Sequence, residues 1–321
     1  MKRRIVEHQV LGARLVGTLH DPRGDGAALV DGCFSGKTGL LCLNFGQQPR
    51  AWHGDLGARL ADATAQAGIP TLRFDMPGLG DVDGTVPTYL EELWLELQRG
   101  QHVPVVEPLI DQLRQRYGFA RLAISGFCGG AVTAILAARS RRPFVQAVIA
   151  FEPELAYTLV ALGGDGEAAV EHKREELVRE RISVAWQRIR RPEAWRRLLS
   201  GGVDLAYYRR LVREAARAGV ASARRGKALP ADAIADVLET WRELAGKGLP
   251  FLVYSVGSAQ REAFYRVYED YTGRGRLPNV TWHALPDTNH TLVIGGAAER
   301  ILESTPRWIL QTLPSAAQGS A

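Results

Sequence analysis

The chain has 321 residues, 46% of them hydrophobic, and a formal net charge of +5 at neutral pH. That length and apolar content suffice for one large α/β domain carrying an insertion. Three cysteines, Cys33, Cys42 and Cys128, do not pair evenly and show neither C-x-x-C nor Cys/His ligand spacing, which argues against a disulfide framework and a structural zinc site. A reducing cytoplasm is the expected compartment, with no metal and no cofactor. Met1-Lys2-Arg3-Arg4 is basic but no apolar segment follows, so no signal peptide is expected. No apolar run is long enough to span a bilayer, and no membrane association is expected.

The predicted elements alternate between strands and helices. Arg14 to Leu19, with Gly17 inside, reads as a strand ending at the turn Asp21-Pro22-Arg23-Gly24. Leu40 to Asn44 is a short strand, apolar up to its last residue. Asp55 to Ala67 has helical spacing and stops at Gly68. Pro70 to Phe74 is the next strand, and Val106 to Tyr117 is a helix closed by Gly118. A buried strand at 121–124 leads into Gly126-Phe127-Cys128-Gly129-Gly130, and Ala131 to Ala138 reads as the helix after it. Strands follow at Val145 to Phe151, Pro250 to Tyr254 and Val280 to Ala284, and Gly296 to Leu313 closes the chain as a helix. The alternation argues for a mostly parallel central sheet with helices on both faces. In such a sheet the active site lies at the carboxyl ends of the strands.

The alternation breaks between about 160 and 248, where Ala168 to Arg190, Asp204 to Arg224 and Ala231 to Ala245 all read as helices. This segment, 160–248, is expected to be a helical lid inserted between two strands. It divides the sheet domain into residues 1–159 and 249–314 and leaves 315–321 as a frayed tail. Between His172 and Lys227 stand 16 Lys/Arg against 6 Asp/Glu, an excess of ten positive charges. A charge run is by default a solvated helix face. Its functional counterpart is a docking surface for an acidic partner. Nucleic acid is not expected as that partner, because few aromatics interleave the basic residues and no groove-binding motif is present.

Gly126-Phe127-Cys128-Gly129-Gly130 is the stretch that points to chemistry. At a strand-to-helix corner, G-x-C-x-G is the cysteine form of the G-x-S-x-G nucleophile elbow. The tight turn demands small residues two before and two after the nucleophile, and Gly126 and Gly130 supply them. Cys128 would be held in an exposed place at a helix N-terminus, where the dipole favours a thiolate. The alternative is a small buried cysteine before a Gly-rich helix start. Of seven histidines, only His290 follows the last predicted strand directly, which makes it the candidate general base. His53 opens a helix and His283 lies within a strand, so both read as structural or surface residues.

The Gly129 amide is expected as one oxyanion donor. The second is expected from the loop Phe45 to Arg50, with Gln47 as the choice. No aspartate stands just after the strand at 250–254, where the third catalytic member is usual. Glu152, at the end of the strand at 145–151, is the candidate acid. Glu262 is the alternative, and a pair lacking any acid is the remaining option. A Cys–His pair tolerates loss of the acid better than Ser–His, because a thiol ionises far more readily than a hydroxyl.

Together these motifs resemble the α/β-hydrolase superfamily over residues 10–160 and 248–314. Leu72-Arg73-Phe74-Asp75-Met76-Pro77-Gly78-Leu79-Gly80-Asp81 matches its R-F-D-x-x-G-x-G-D signature, with Val82 in place of the usual following serine. The loop Gly46-Gln47-Gln48-Pro49-Arg50 is similar to that of hydrolases associated with exosortase systems, which usually carry a serine nucleophile. The resemblance implies the α/β-hydrolase fold. Three cysteine-bearing groups of the superfamily are similar at the elbow. They are the acyl or aminoacyl shuttles of nonribosomal peptide and polyketide pathways, the polyhydroxyalkanoate synthases, and the cysteine-type thioesterases. The chain is short for a polyhydroxyalkanoate synthase and lacks the aspartate such enzymes place after the penultimate strand.

A thioester at cysteine is close in energy to an incoming acyl thioester, so acyl exchange runs near equilibrium and transfer is favoured over hydrolysis. The expectation is therefore an acyltransferase of secondary metabolism. It would carry an acyl group from a carrier-protein or coenzyme A thioester through acyl-Cys128 to an acceptor. The resemblance to the shuttles implies an acidic acyl or peptidyl carrier protein as partner, docked on the basic lid. A thioesterase and a catalytically inactive binding module are the alternatives.

Overall fold

Short apolar runs bounded by glycine and proline become strands, and segments with apolar residues three and four apart become helices. A computed structural model describes the chain except residues 25–26, 88–92, 94–95, 98, 142, 154–234, 257–278 and 315–321. Strands β1 (Lys2–Val10), β2 (Ala13–Asp21) and β3 (Thr38–Phe45) lead to helix α1 (Leu56–Gln66) and strand β4 (Thr71–Phe74). Helix α2 (Val103–Tyr117), strand β5 (Arg121–Phe127), helix α3 (Gly129–Ser140) and strand β6 (Val145–Phe151) follow. Helix α4 (Ala235–Gly246), strands β7 (Phe251–Val256) and β8 (Val280–Leu285), and helix α5 (Ala297–Thr312) follow, and a single 3-10 turn, His53–Asp55, leads into α1.

The eight strands form one sheet in the order β1-β2-β4-β3-β5-β6-β7-β8. β2 runs antiparallel to β1 and β4, and every other pairing is parallel. β1 was not expected as a strand. Its sequence, KRRIVEHQV, is charged at one end, and only alternate residues near the other end are buried. That is the pattern of an edge strand, where charge discourages pairing with a second molecule. Leu11 (φ 50°) and Gly12 (φ 84°) turn it into β2, and two positive φ values mark a tight hairpin.

The parity of each strand assigns its side chains to a face. Leu40, Cys42, Ala123, Ala147, Ile149, Phe151, Leu252 and Tyr254 share one buried cluster with Leu56 and Leu60 of α1 and Ile301 and Ile309 of α5. Neighbouring residues point the other way, as Phe251 does when it stacks on Trp241 of α4 at 5.0 Å. The expected two-faced, mostly parallel sheet is therefore the structure observed.

Met1–Leu155 and Ile234–Ala321 make one compact unit. Ala156–Ala233 forms a second, which lies outside the described residues, and most of the expected lid with its basic segment falls there. The last helix assigned to that lid does not. α4 buries Val237, Trp241 and Leu244, residues four and three apart, within the sheet unit, and Glu243 pairs with Arg139 of α3 at 2.8 Å. The expected boundary at 248 is corrected accordingly, because the apolar stripe of this helix meets the sheet.

A row of aromatic residues crosses the sheet near its carboxyl edge. Phe127, Phe151, Tyr254 and His283 are register partners from β5 to β8. Phe127 stacks on Phe151 at 6.0 Å, Phe151 on Tyr254 at 5.1 Å, and Tyr254 on His283 at 5.2 Å. Such pairs stabilise beyond their buried area. They also set which residues come next on adjacent strands, Cys128 after Phe127 and Glu152 after Phe151.

On the α1 face of the sheet, His20 of β2 is fully buried. Its Nε2 accepts a hydrogen bond from Arg73 Nε at 3.0 Å, so its proton sits on Nδ1, which donates to Asp62 at 2.8 Å. Burial, with Arg73 beside it, pushes its pKa down to about 4, and burial alone holds His102 at about 4. Both are neutral when folded and would bind protons near pH 6.5 when unfolded. Stability from them is complete above about 6.5 and is lost as pH falls toward 4, by about 3 kcal/mol for a shift of this size. Urea midpoints measured between pH 7.5 and 4.5 should fall steadily, and His20→Asn should flatten that fall. An unchanged slope in the variant would contradict the buried neutral assignment.

Candidate active site

β5 runs into α3 through Cys128, which stands at φ 52°, ψ −117°. A non-glycine residue there carries strain, and such strain gathers at functional sites. The neighbours explain why it persists. A Cβ on Gly126 would run into the carbonyl of Gly130, and one on Gly130 into the carbonyl of Asn44 at the end of β3. The Cys128 amide donates to Phe151 O at 2.8 Å, holding the corner against β6. The glycines two before and two after the cysteine are required as expected.

Cys128 itself is fully buried, in the cluster that includes Trp52, Phe127, Phe151 and Leu292. This corrects the expected exposed placement. Turn geometry aims the side chain off the sheet, but the loops after β3 and β8 bring Trp52 and Leu292 over the same face. Gly129 is the first residue of α3, where amides have no intrahelical acceptor, and Leu97 lies against it.

Glu152 follows β6 at φ 45° and is almost fully buried. Its amide donates to Tyr254 O at 2.8 Å. Its Oε1 accepts from the amide of Val256, and its Oε2 lies 3.2 Å from His290 Nδ1. A carboxylate only accepts, so Nδ1 carries the proton and Nε2 is the basic nitrogen. His290 is half-exposed in the loop after β8, and its ring meets Phe127 edge-on at 5.8 Å. The end of β7, where the acid is usual in this arrangement, instead supplies the Val256 N–H that orients Glu152. The structure thus joins Glu152 to His290 and places His290 against the residue preceding Cys128. Glu262 lies outside the described residues.

Gln47 occupies the turn after β3, with its side chain exposed. Phe45 pairs with Phe127, so this turn begins beside the elbow. The loop is tied at both ends. Asn44 Nδ2 donates to Gly46 O, and Trp52 Nε1 donates to Leu43 O at 2.8 Å. At its far end Arg50 meets Asp75 and Asp81 of the Arg-Phe-Asp signature. This anchoring was not read from the sequence, although Arg73, Asp75 and Asp81 stood out as a motif.

Among the described residues no cluster of His, Cys, Asp and Glu could hold a metal ion, and no helix is long and apolar enough to cross a membrane. Burial raises the thiol of Cys42 to about 11 and also raises that of Cys33.

Sheet order, elbow and strand-end residues together define the α/β-hydrolase fold. Solved structures share it at low identity. An esterase from Pyrococcus furiosus is 15% identical, with a TM-score of 0.56 over 97% of this chain and 91% of its own. The haloalkane dehalogenase DatA from Agrobacterium tumefaciens C58 is 15% identical, with a TM-score of 0.54 over 97% of each chain. The alpha/beta hydrolase GrgF from Penicillium sp. sh18 is 16% identical, with a TM-score of 0.56 over 97% of this chain and 99% of its own. No protein-family model matches the chain, and no curated protein matches it in sequence.

The elbow gives a direct test of local packing. Gly130→Ala places a methyl group inside backbone that cannot retreat, at a cost of about 3 kcal/mol or more. The melting temperature should drop by at least about 4 °C. A variant that melts with the wild type would contradict the close approach of α3 to β3.

Proposed function

We propose that the chain is a cysteine-dependent acyltransferase that takes acyl groups from carrier-protein or coenzyme A thioesters, in secondary metabolism. The observation that carries this reading is the Glu152–His290 hydrogen bond, 3.2 Å, with His290 against Phe127, the residue before a cysteine held at a strained strand-to-helix corner. A nucleophile, a base and a group orienting the base are the parts covalent acyl transfer needs.

In the proposed reaction His290 Nε2 takes the thiol proton and Cys128 Sγ attacks the thioester carbon. The amides of Gly129 and Gln47 hold the oxyanion. Collapse breaks the bond to the leaving sulfur, which His290 protonates, and leaves acyl-Cys128. An acceptor then gives its proton to His290, attacks the new thioester and releases the cysteine as a thiol. Glu152 fixes the tautomer of His290 and stabilises its imidazolium form. The excess positive charge between His172 and Lys227 supports an acidic carrier protein as the donor.

A second reading is a thioesterase, in which water is the acceptor. The fold shared with an esterase favours it. Both readings pass through acyl-Cys128.

Incubation with an acyl carrier-protein thioester, followed by intact mass, tests the proposal. The wild type should gain the acyl mass and Cys128→Ala should not. Added salt should slow acylation by the carrier protein and leave a small thioester nearly unaffected. An adduct that needs an added acceptor for release marks a transferase, and rapid free acid marks a thioesterase. Full turnover by Cys128→Ala would end both readings.

A further inference from the structure

Arg50 is engaged through its amide, its carbonyl and two of its guanidinium nitrogens. Its amide donates to Asp75 Oδ1 at 2.6 Å, and its carbonyl accepts from Arg73 Nη1 at 2.7 Å. Its Nε donates to Thr18 Oγ1 at 3.1 Å. Its Nη1 pairs with Asp75 and, at 2.8 Å, with Asp81. Asp75 is fully buried and takes a further hydrogen bond from the Asp81 amide at 3.1 Å. A buried carboxylate without such partners would be costly, so it holds Arg50 as firmly as Arg50 holds it. Gly80 allows this closeness, since a Cβ there would overlap the Asp75 carboxyl.

Arg50 stands three residues beyond Gln47. Immediately before Gln47 stands a permissive point, Gly46 at φ 49°, from which an untethered turn could swing. The other flank is fixed at Asn44, whose carbonyl lies against Gly130 of the elbow. We propose that Arg50 is a positioning residue for the reaction: through Asp75, Asp81 and Thr18 it sets the Gly46–Gln48 turn so that the Gln47 amide points at the developing oxyanion. The proposal rests on the acyl-Cys128 reading. Arg50 touches no reacting atom. It acts by removing the freedom of a donor that must already be in place when charge develops.

Arg50→Lys keeps a cation near Asp75 but cannot also reach Thr18 and Asp81. Thr18→Val keeps the ion pairs and removes one tether, so it serves if the lysine variant folds poorly. Each is compared with the wild type for the saturated rate of Cys128 acylation by a small acyl thioester, for half-saturation, and for amide hydrogen exchange of residues 46–48. Arg50→Lys should acylate about 10- to 100-fold more slowly, with half-saturation within about threefold. Exchange in the turn should be about tenfold faster or more. Thr18→Val should move the same readouts less. Loss of folded protein alone would scale the active fraction without changing the single-turnover rate.

Wild-type exchange in both variants, or a wild-type acylation rate despite a loosened turn, would overturn the proposal. A wild type that never forms acyl-Cys128 would sink the acyl-transfer reading and the positioning role with it. The exchange data would still say whether Arg50 orders the turn.

Discussion

Between Gly126, Gly130 and Asn44 the backbones of β5, α3 and β3 approach too closely for any Cβ, and the conformation of Cys128 follows from that contact. A positive φ at a cysteine costs of order 1–3 kcal/mol. It is sustained because β5 is hydrogen-bonded on both sides, to β3 and to β6, so the corner cannot relax without breaking the sheet. The strain has a consequence in space. It turns the cysteine out of the strand direction and starts a helix one residue later, so the first amides of α3 and the positive end of its dipole lie next to Cys128.

The second arm of the site is set by the same sheet. The stacked row from Phe127 to His283 fixes the register of four parallel strands. With register fixed, Glu152 must emerge beside the elbow, and its two carboxylate oxygens divide between the β7 backbone and His290. Two residues 138 apart in sequence therefore meet because both sit at carboxyl ends of the same sheet. The Arg50–Asp75 cluster extends this logic to the turn after β3, which no strand register could hold alone.

Much of this was legible from the chain, and the reasons differ by residue. β6 was read at its observed bounds because, Gln146 apart, it is the apolar run of a strand buried on both faces. The elbow was legible because backbone sterics leave few residues able to fill it. Glu152 and His290 followed from topology, as the polar residues just past strand ends. β1 was missed because an edge strand needs only half its side chains apolar, and here charge occupies much of the rest. α4 was assigned to the insertion because periodicity reveals an apolar stripe but not what the stripe meets. The burial of Cys128 was missed for a related reason: a turn motif sets direction, and coverage comes from loops distant in sequence. Arg50 carried no local signal, since its partners lie 23 residues and more away.

The elbow and the Glu152–His290 pair are proposed to activate Cys128 despite its burial. Exposure alone ranks Cys33 as the most accessible of the three thiols, with Cys42 and Cys128 covered. Treatment with limiting iodoacetamide at pH 7.5, with the modified cysteines mapped by peptide mass, sets activation against exposure. Cys128 should be alkylated first, and His290→Ala should slow it toward the rate of Cys33. Alkylation of Cys33 alone, with Cys128 intact, would contradict it.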